Sequence, residues 1–261
     1  MISRVVKKGL MPAFVVFGVI AAAIFAPAVA SASKRLGTAM ASYSNPAVCY
    51  AYPACAIYTT DAFGPVHEDQ HSPELRNFAV FPGDFVRAAH FAPATAPGTK
   101  APYSGLTLDA FGGLHPYNPG AQNPGSNCGI TGTPPCAPSS AALVVGQEPS
   151  FNFDIARDFV FLPNGTGGYE IDGYGGIHPF SLGPNPMPPA AGQYPYYPGV
   201  DIARIMWFQP NASSSSSTGY QLDGYGGIHP FNTADNVRPP DFTDYAYWAG
   251  RDIARALFGS S

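Results

Sequence analysis

The side chains able to carry chemistry come in sets rather than singly. An aspartate and an arginine three residues apart recur as Asp84 with Arg87, Asp154 with Arg157, Asp201 with Arg204 and Asp252 with Arg255. A second aspartate stands directly before a glycine-containing loop at Asp61, Asp109, Asp172 and Asp223, and a histidine follows that loop at His67, His115, His178 and His229. A carboxylate beside a guanidinium offers an ion pair, and a carboxylate at the mouth of a tight loop accepts hydrogen bonds from the loop's backbone N–H groups. Four imidazoles could also be gathered around a metal. Catalysis, however, needs one asymmetric constellation, and repeated equivalent sets favour a structural role. We therefore expect the hairpin aspartates to hold their loops and the arginines to reach a carboxylate or carbonyl of their own unit. His115, His178 and His229 precede prolines in a third strand, away from the segment that would line a channel, so no metal is expected on them. The G-Y-G-G loops are not phosphate cradles, because no helix follows to aim backbone donors at an anion.

Outside these sets, Glu68, Asp69, His71 and Glu74 bring acids and an imidazole together in one connection. They are the residues that an exported hydrolase or lyase would recruit, and otherwise they make a solvated loop. Aromatic residues crowd two other segments, Tyr194, Tyr196 and Tyr197 in one and Tyr245, Tyr247 and Trp248 in the other. Rings with a polar edge suit stacking on sugars or packing on a protein, and they also cover seams between packed sheets. The binding reading puts Tyr196, Tyr197 and Trp248 on one face that recognises a glycan.

The elements that must position these groups are legible in residues 154–180, D-I-A-R-D-F-V-F-L-P-N-G-T-G-G-Y-E-I-D-G-Y-G-G-I-H-P-F. An apolar run ends in a Pro-Asn-Gly turn, a short strand leads to the glycine loop, and a third apolar segment closes a small up-and-down sheet. The unit recurs at 201–231 and, more loosely, at 84–117. Residues 57–67 carry the hairpin alone and 252–258 the leading strand alone, so together they complete a fourth unit. The four loop histidines are 48, 63 and 51 residues apart, and a period of roughly 40–50 residues with several strands each is the mark of propeller blades. The expectation is an all-β, four-bladed β-propeller over 56–261, closed by pairing of its N- and C-terminal strands, with an insertion at 118–150. Positive φ is expected in the glycine loops. Pro65 replaces one of the loop glycines, so the first turn should differ in detail.

The rest of the chain supplies an address. Residues 1–32 combine Arg4, Lys7 and Lys8 with a long apolar stretch and small residues near Ala30, the grammar of a signal peptide. Residues 33–55 read as a lead-in. Only 11% of residues are charged while Gly and Pro number 29 each, which fits a turn-rich β domain. The formal charge of −4 and the lack of a basic cluster after the leader exclude nucleic acid as a partner. Contact with a membrane would come only through an uncleaved leader. The four cysteines allow three pairings in an oxidising compartment; the local ones, Cys49 with Cys55 and Cys128 with Cys136, are preferred because each brackets a short loop. No cofactor is expected, apart from a structural cation that backbone oxygens of four leading strands could hold on a propeller axis.

The order of parts, a D-I-A leading strand, a G-Y-x-L-D strand and a short aromatic third strand, resembles the blade of haemopexin-like four-bladed propellers in layout. The helix-rich blade ends of that family are not evident, and its ligand sites do not carry over. The phrase G-Y-x-L-D-G-Y-G-G-I-H-P-F, over 169–180 and 220–231, is similar to a repeat of exported bacterial proteins, some of them cell-wall-associated. That resemblance spans 57–258 and implies a secreted or envelope location. A non-enzymatic module binding an envelope glycan or protein partner is the expected function, with the exported polysaccharide hydrolase or lyase as the alternative.

Overall fold

The computed structural model describes residues 39–42, 57–68, 75–93, 104–119, 143–209, 217–233 and 237–257. These residues form strands and turns, with no helix among them. Strands β1 (Ala39–Ser42), β2 (Ile57–Thr60) and β3 (Val66–Glu68) make the first sheet. The second contains β4 (Leu75–Arg76), β5 (Val86–Phe91), β6 (Gly105–Asp109) and β7 (Leu114–Pro119), with β4 on the outer edge of β7. The third is β8 (Ala156–Phe161), β9 (Gly167–Asp172) and β10 (Ile177–Ser181), and the fourth β11 (Ala203–Phe208), β12 (Thr218–Asp223) and β13 (Ile228–Asn232). All pairings are antiparallel between successive strands, apart from β4 on β7.

The central strand of each repeat is buried on both faces, which is why β9 and β12 read as nearly continuous runs rather than as alternating patterns. Leu106, Leu108 and Leu114 meet Phe159, Phe180 and Leu182 between the second and third sheets. Tyr169, Ile171 and Ile177 meet Met206 and Phe231 between the third and fourth, and Tyr58 and Val66 meet Ala89 and Tyr117 between the first and second. Leading strands therefore pack in sequence order, β1 on β5, β5 on β8 and β8 on β11, and packing of comparable extent does not return from β11 to β1.

The closure expected from the sequence is not what the structure shows. Residues 252–257 form no strand. The edge of β2 that they would pair with is taken by β1, with Ala39 opposite Thr60 and Ser42 opposite Ile57, so the 33–55 lead-in contains a strand. A strand edge offers one row of N–H and C=O groups, and β1 already uses it. Residues 252–257 are held instead on the fourth sheet, where the N–H groups of Ile253 and Ala254 both donate to the Gly224 carbonyl at 2.8 and 2.9 Å.

Each full unit also has a bulge that the sequence did not announce. The ladder skips one residue between Val86 and Ala88, between Ala156 and Asp158, and between Ala203 and Ile205. The skipped residues are Arg87, Arg157 and Arg204. A bulge re-aims the side chain of its extra residue, and here it turns each arginine out of the ladder toward the next unit.

Candidate functional site

The arginines join units as well as serving their own. Arg87 donates from Nη1 to Asp84 and, through Nε at 3.1 Å and Nη2 at 2.5 Å, to both oxygens of Asp154 in the following unit. Arg157 bridges Asp154 to Asp201 in the same way, and Arg204 bridges Asp201 to Asp252. The result is an alternating relay from Asp84 to Arg255. Burial would raise the Asp154 carboxyl, but Arg87 and Arg157 outweigh it and hold the group below the usual carboxylate range. Asp252 is lowered for the same reason by Arg204 and Arg255. Spacing alone suggested pairs within a unit; the bond to the next unit depends on the bulge and was missed.

The hairpin aspartates hold their loops. Asp172 Oδ1 accepts from the N–H groups of Tyr174 at 2.8 Å and Gly176 at 2.9 Å. Its Oδ2 meets His178 Nε2 at 2.8 Å. Asp109 with His115 and Asp223 with His229 repeat this at 2.8 Å, and Asp61 with His67 at 3.0 Å. The loop histidines thus belong to aspartates six residues earlier, a pairing the sequence analysis did not draw. The bond passes over Gly176, whose added Cβ would lie 2.4 Å from Asp172 Oδ2 and 2.8 Å from His178 Nε2. Gly175 has φ 91°, as the reversal requires. In the first hairpin Pro65 has no N–H to give, and Asp61 Oδ1 accepts from the Phe63 N–H at 2.8 Å.

An aromatic side chain from the segment entering each unit lies edge-on against that unit's histidine, Phe81 on His115, Phe151 on His178 and Tyr197 on His229, with centroids 4.9, 5.1 and 5.9 Å apart. The backbone N–H of the same residue donates to the previous unit's loop, from Phe81 to Phe63, Phe151 to Phe111, Tyr197 to Tyr174 and Trp248 to Tyr225. This divides the aromatic residues singled out from the sequence. Tyr197 is part of a seam, and burial, with Asp223 nearby, raises its hydroxyl. Tyr194 packs on the core between the third and fourth sheets. Tyr196, Tyr247 and Trp248 are exposed; Tyr196 lies edge-on to Tyr174, and Tyr245 and Tyr247 lie against each other.

A groove with a volume of about 740 Å³ opens where residues 192–196 and 237–241 flank the fourth sheet. Its walls include Tyr194, Tyr196, His229, Pro230, Arg238 and Asp241. Arg238 Nη2 spans both oxygens of Asp241 at 3.1 and 3.2 Å, and both side chains are exposed to the groove's solvent. Ring faces beside a charged donor and acceptor can stack on an apolar surface while binding hydroxyls. Tyr197, Tyr245, Tyr247 and Trp248 are outside the groove lining, so the structure does not gather Tyr196, Tyr197 and Trp248 on one wall.

The most unusual ionisable group is one that repetition obscured. Glu170, central in β9, is fully buried and neither oxygen has a partner. Burial drives its carboxyl far upward, and Glu148 and Asp109 add to the effect. Glu148 accepts from the Leu114 N–H at 2.9 Å and is itself raised by burial. The equivalent of Glu170 in the next unit is Gln221, whose Nε2 donates to the Pro195 carbonyl at 2.9 Å. The signal available in the sequence was this departure of Glu from Gln between otherwise matching repeats. Asp158, another departure, places Oδ1 2.9 Å from His90 Nε2, linking the second and third sheets.

Among the described residues no cluster of His, Cys, Asp and Glu is arranged to hold a metal. Cys49, Cys55, Cys128 and Cys136, the leader 1–32, and Asp69, His71 and Glu74 lie outside the described residues, as does the Glu68 side chain. Compared with known proteins, the chain matches no family model, no curated protein and no solved structure.

Proposed function

We propose that this chain is an exported, non-enzymatic module of blade-like sheets that binds a cell-envelope glycan in the groove beside the fourth sheet. The observation that carries the reading is the groove wall, in which the exposed face of Tyr196 stands near the Arg238 and Asp241 pair. Sugars present apolar C–H faces and vicinal hydroxyls, and such a wall complements both. The equivalent Tyr247 one repeat later would give a second, weaker contact along an extended polymer. The sheets are read as blades in open succession, since β1 occupies the closing edge, and an axial cation forms no part of this reading. The address rests on residues 1–32 and on the resemblance of the repeat phrase to exported proteins.

For the alternative, a hydrolase, Glu170 is not the general acid. The acid with the most strongly raised affinity for its proton is fully buried, whereas a general acid must touch a substrate oxygen. The test is retention on purified cell-wall polysaccharide. Tyr196→Ala together with Arg238→Ala should abolish retention while leaving the melting temperature unchanged. Retention equal to the parent's would remove the groove from consideration.

A further inference from the structure

Three features that are complete at every internal junction are half-complete at two places in this chain. Arg87, Arg157 and Arg204 each grip two aspartates, but among the described residues Arg255 grips only Asp252, through Nη1 at 2.7 Å, and its side chain is 35% exposed against 13, 7 and 8% for the others. Asp84 has the opposite defect. Among the described residues it receives only its own Arg87, where Asp154, Asp201 and Asp252 each receive a second guanidinium from the unit before. β1, which leads the first unit, is Ala-Met-Ala-Ser and contributes no arginine.

The ring contacts show the same complementarity. Among the described residues, Trp248 is the entry aromatic that lies against no histidine and is exposed, and His67 is the loop histidine that lies against no entry aromatic, with its side chain 56% exposed. Finally, 252–257 has the D-x-x-R leading signature but pairs with no hairpin, while the hairpin of β2 and β3 is led by a strand without that signature.

We propose that residues 252–257 of one copy displace the Ala39 end of β1 from the hairpin of a second copy, so that copies of this chain join head to tail. The register makes the fit specific. The residue after each arginine stands opposite the residue before the hairpin aspartate, Ala88 opposite Leu108, Asp158 opposite Ile171 and Ile205 opposite Leu222, and Ala39 holds that place opposite Thr60. Ala256 would take the position of Ala39, which puts Arg255 at the bulge. From there it reaches Asp84 of the second copy as Arg87 reaches Asp154, and Trp248 covers His67 of the second copy. The bonds from Ile253 and Ala254 to Gly224 are those of an ordinary junction and persist. The relay then runs unbroken from one molecule into the next. Such an interface is heterologous and propagates, giving a series of oligomers rather than a closed pair. It would present grooves at intervals along a polymer, but it does not rest on what the groove binds.

The experiment is sedimentation of the 261-residue chain across a concentration series. Association that rises with concentration and weakens with salt is expected, because the new ion pair is partly exposed. Arg255→Glu alone and Asp84→Arg alone should each sediment as a monomer, and an equimolar mixture of the two should recover association because each face then meets its opposite charge. Trp248→Ala leaves every charge in place and should weaken association by at least about tenfold. A parent chain that stays monomeric at all concentrations overturns the proposal. So does a mixture that stays monomeric while circular dichroism shows both variants folded.

Discussion

At the scale of single residues, charge burial is managed in two opposite ways. Asp154, Asp201 and Asp252 are partly buried but doubly compensated, whereas Glu170 is wholly buried and uncompensated. A carboxyl whose folded pKa lies above its unfolded value contributes stability that is full below the unfolded pKa, near 4.5 for Glu170, and is lost as pH rises through the folded value. Glu170→Gln removes that loss, and the amide can donate to a carbonyl as Gln221 does. The variant should therefore be more stable than the parent at neutral pH by about 1–3 kcal/mol and indistinguishable from it near pH 4; thermal melts across that range check both. The relay has the reverse sign. Asp154 and Asp252 are lowered, so their contribution is present above the unfolded pKa, near 3.8, and disappears as pH falls through the folded values. Arg157→Met leaves two carboxylates without their shared partner. The cost expected is on the order of 2–4 kcal/mol, below the fully buried limit because both carboxylates retain 37% exposure. Chemical denaturation measures it.

At the scale of an element, the hairpin is a device for fastening one unit to the next. Asp172 ties the loop, His178 ties Asp172, and Phe151 covers His178. The loop's outward carbonyl at Gly173 then receives the N–H groups of Ile202 and Ala203 at 2.8 and 2.9 Å. Distorting the loop should consequently be felt across the junction. Gly176→Ala places a Cβ 2.4 Å from Asp172 Oδ2, so either the Asp–His bond or the loop must shift, at a cost of about 1–3 kcal/mol. The nitrogen resonances of the His178 ring should lose their hydrogen-bonded character in this variant, and those of His229 should not. Unchanged His178 resonances would mean that the loop accommodates a methyl group without opening the pair.

At the scale of the molecule, stability should behave as a sum of units and junctions, because each sheet packs chiefly on its sequence neighbours. Removing 250–261 takes away Asp252, and with it one end of the Arg204 bridge and the cap on the Gly224 carbonyl. Hydrogen exchange should then accelerate in β11 to β13 and stay near the parent's rates in β2, β3 and β5 to β7. Equal acceleration in all four sheets would restore the idea that this segment closes a ring.

The sequence by itself determined the units: their strands, their glycine loops, the roles of the hairpin aspartates, and the antiparallel order all follow from local patterns of apolar residues and turn residues. Those signals are local because strand direction and loop reversal are set by neighbouring dihedrals. Glu170 went unmarked: its mismatch with Gln221 is there in the sequence, but only burial makes it consequential. The tertiary structure alone decided which edge pairs with which. β1 has no repeat signature and yet holds the edge of β2, since backbone groups pair without regard to side-chain identity. The same holds for the relay and for the division of the tyrosines. A skipped residue in the ladder aims an arginine at the next unit, and whether a ring stacks on a histidine or faces solvent depends on which unit follows it in space, and spacing along a chain does not encode that.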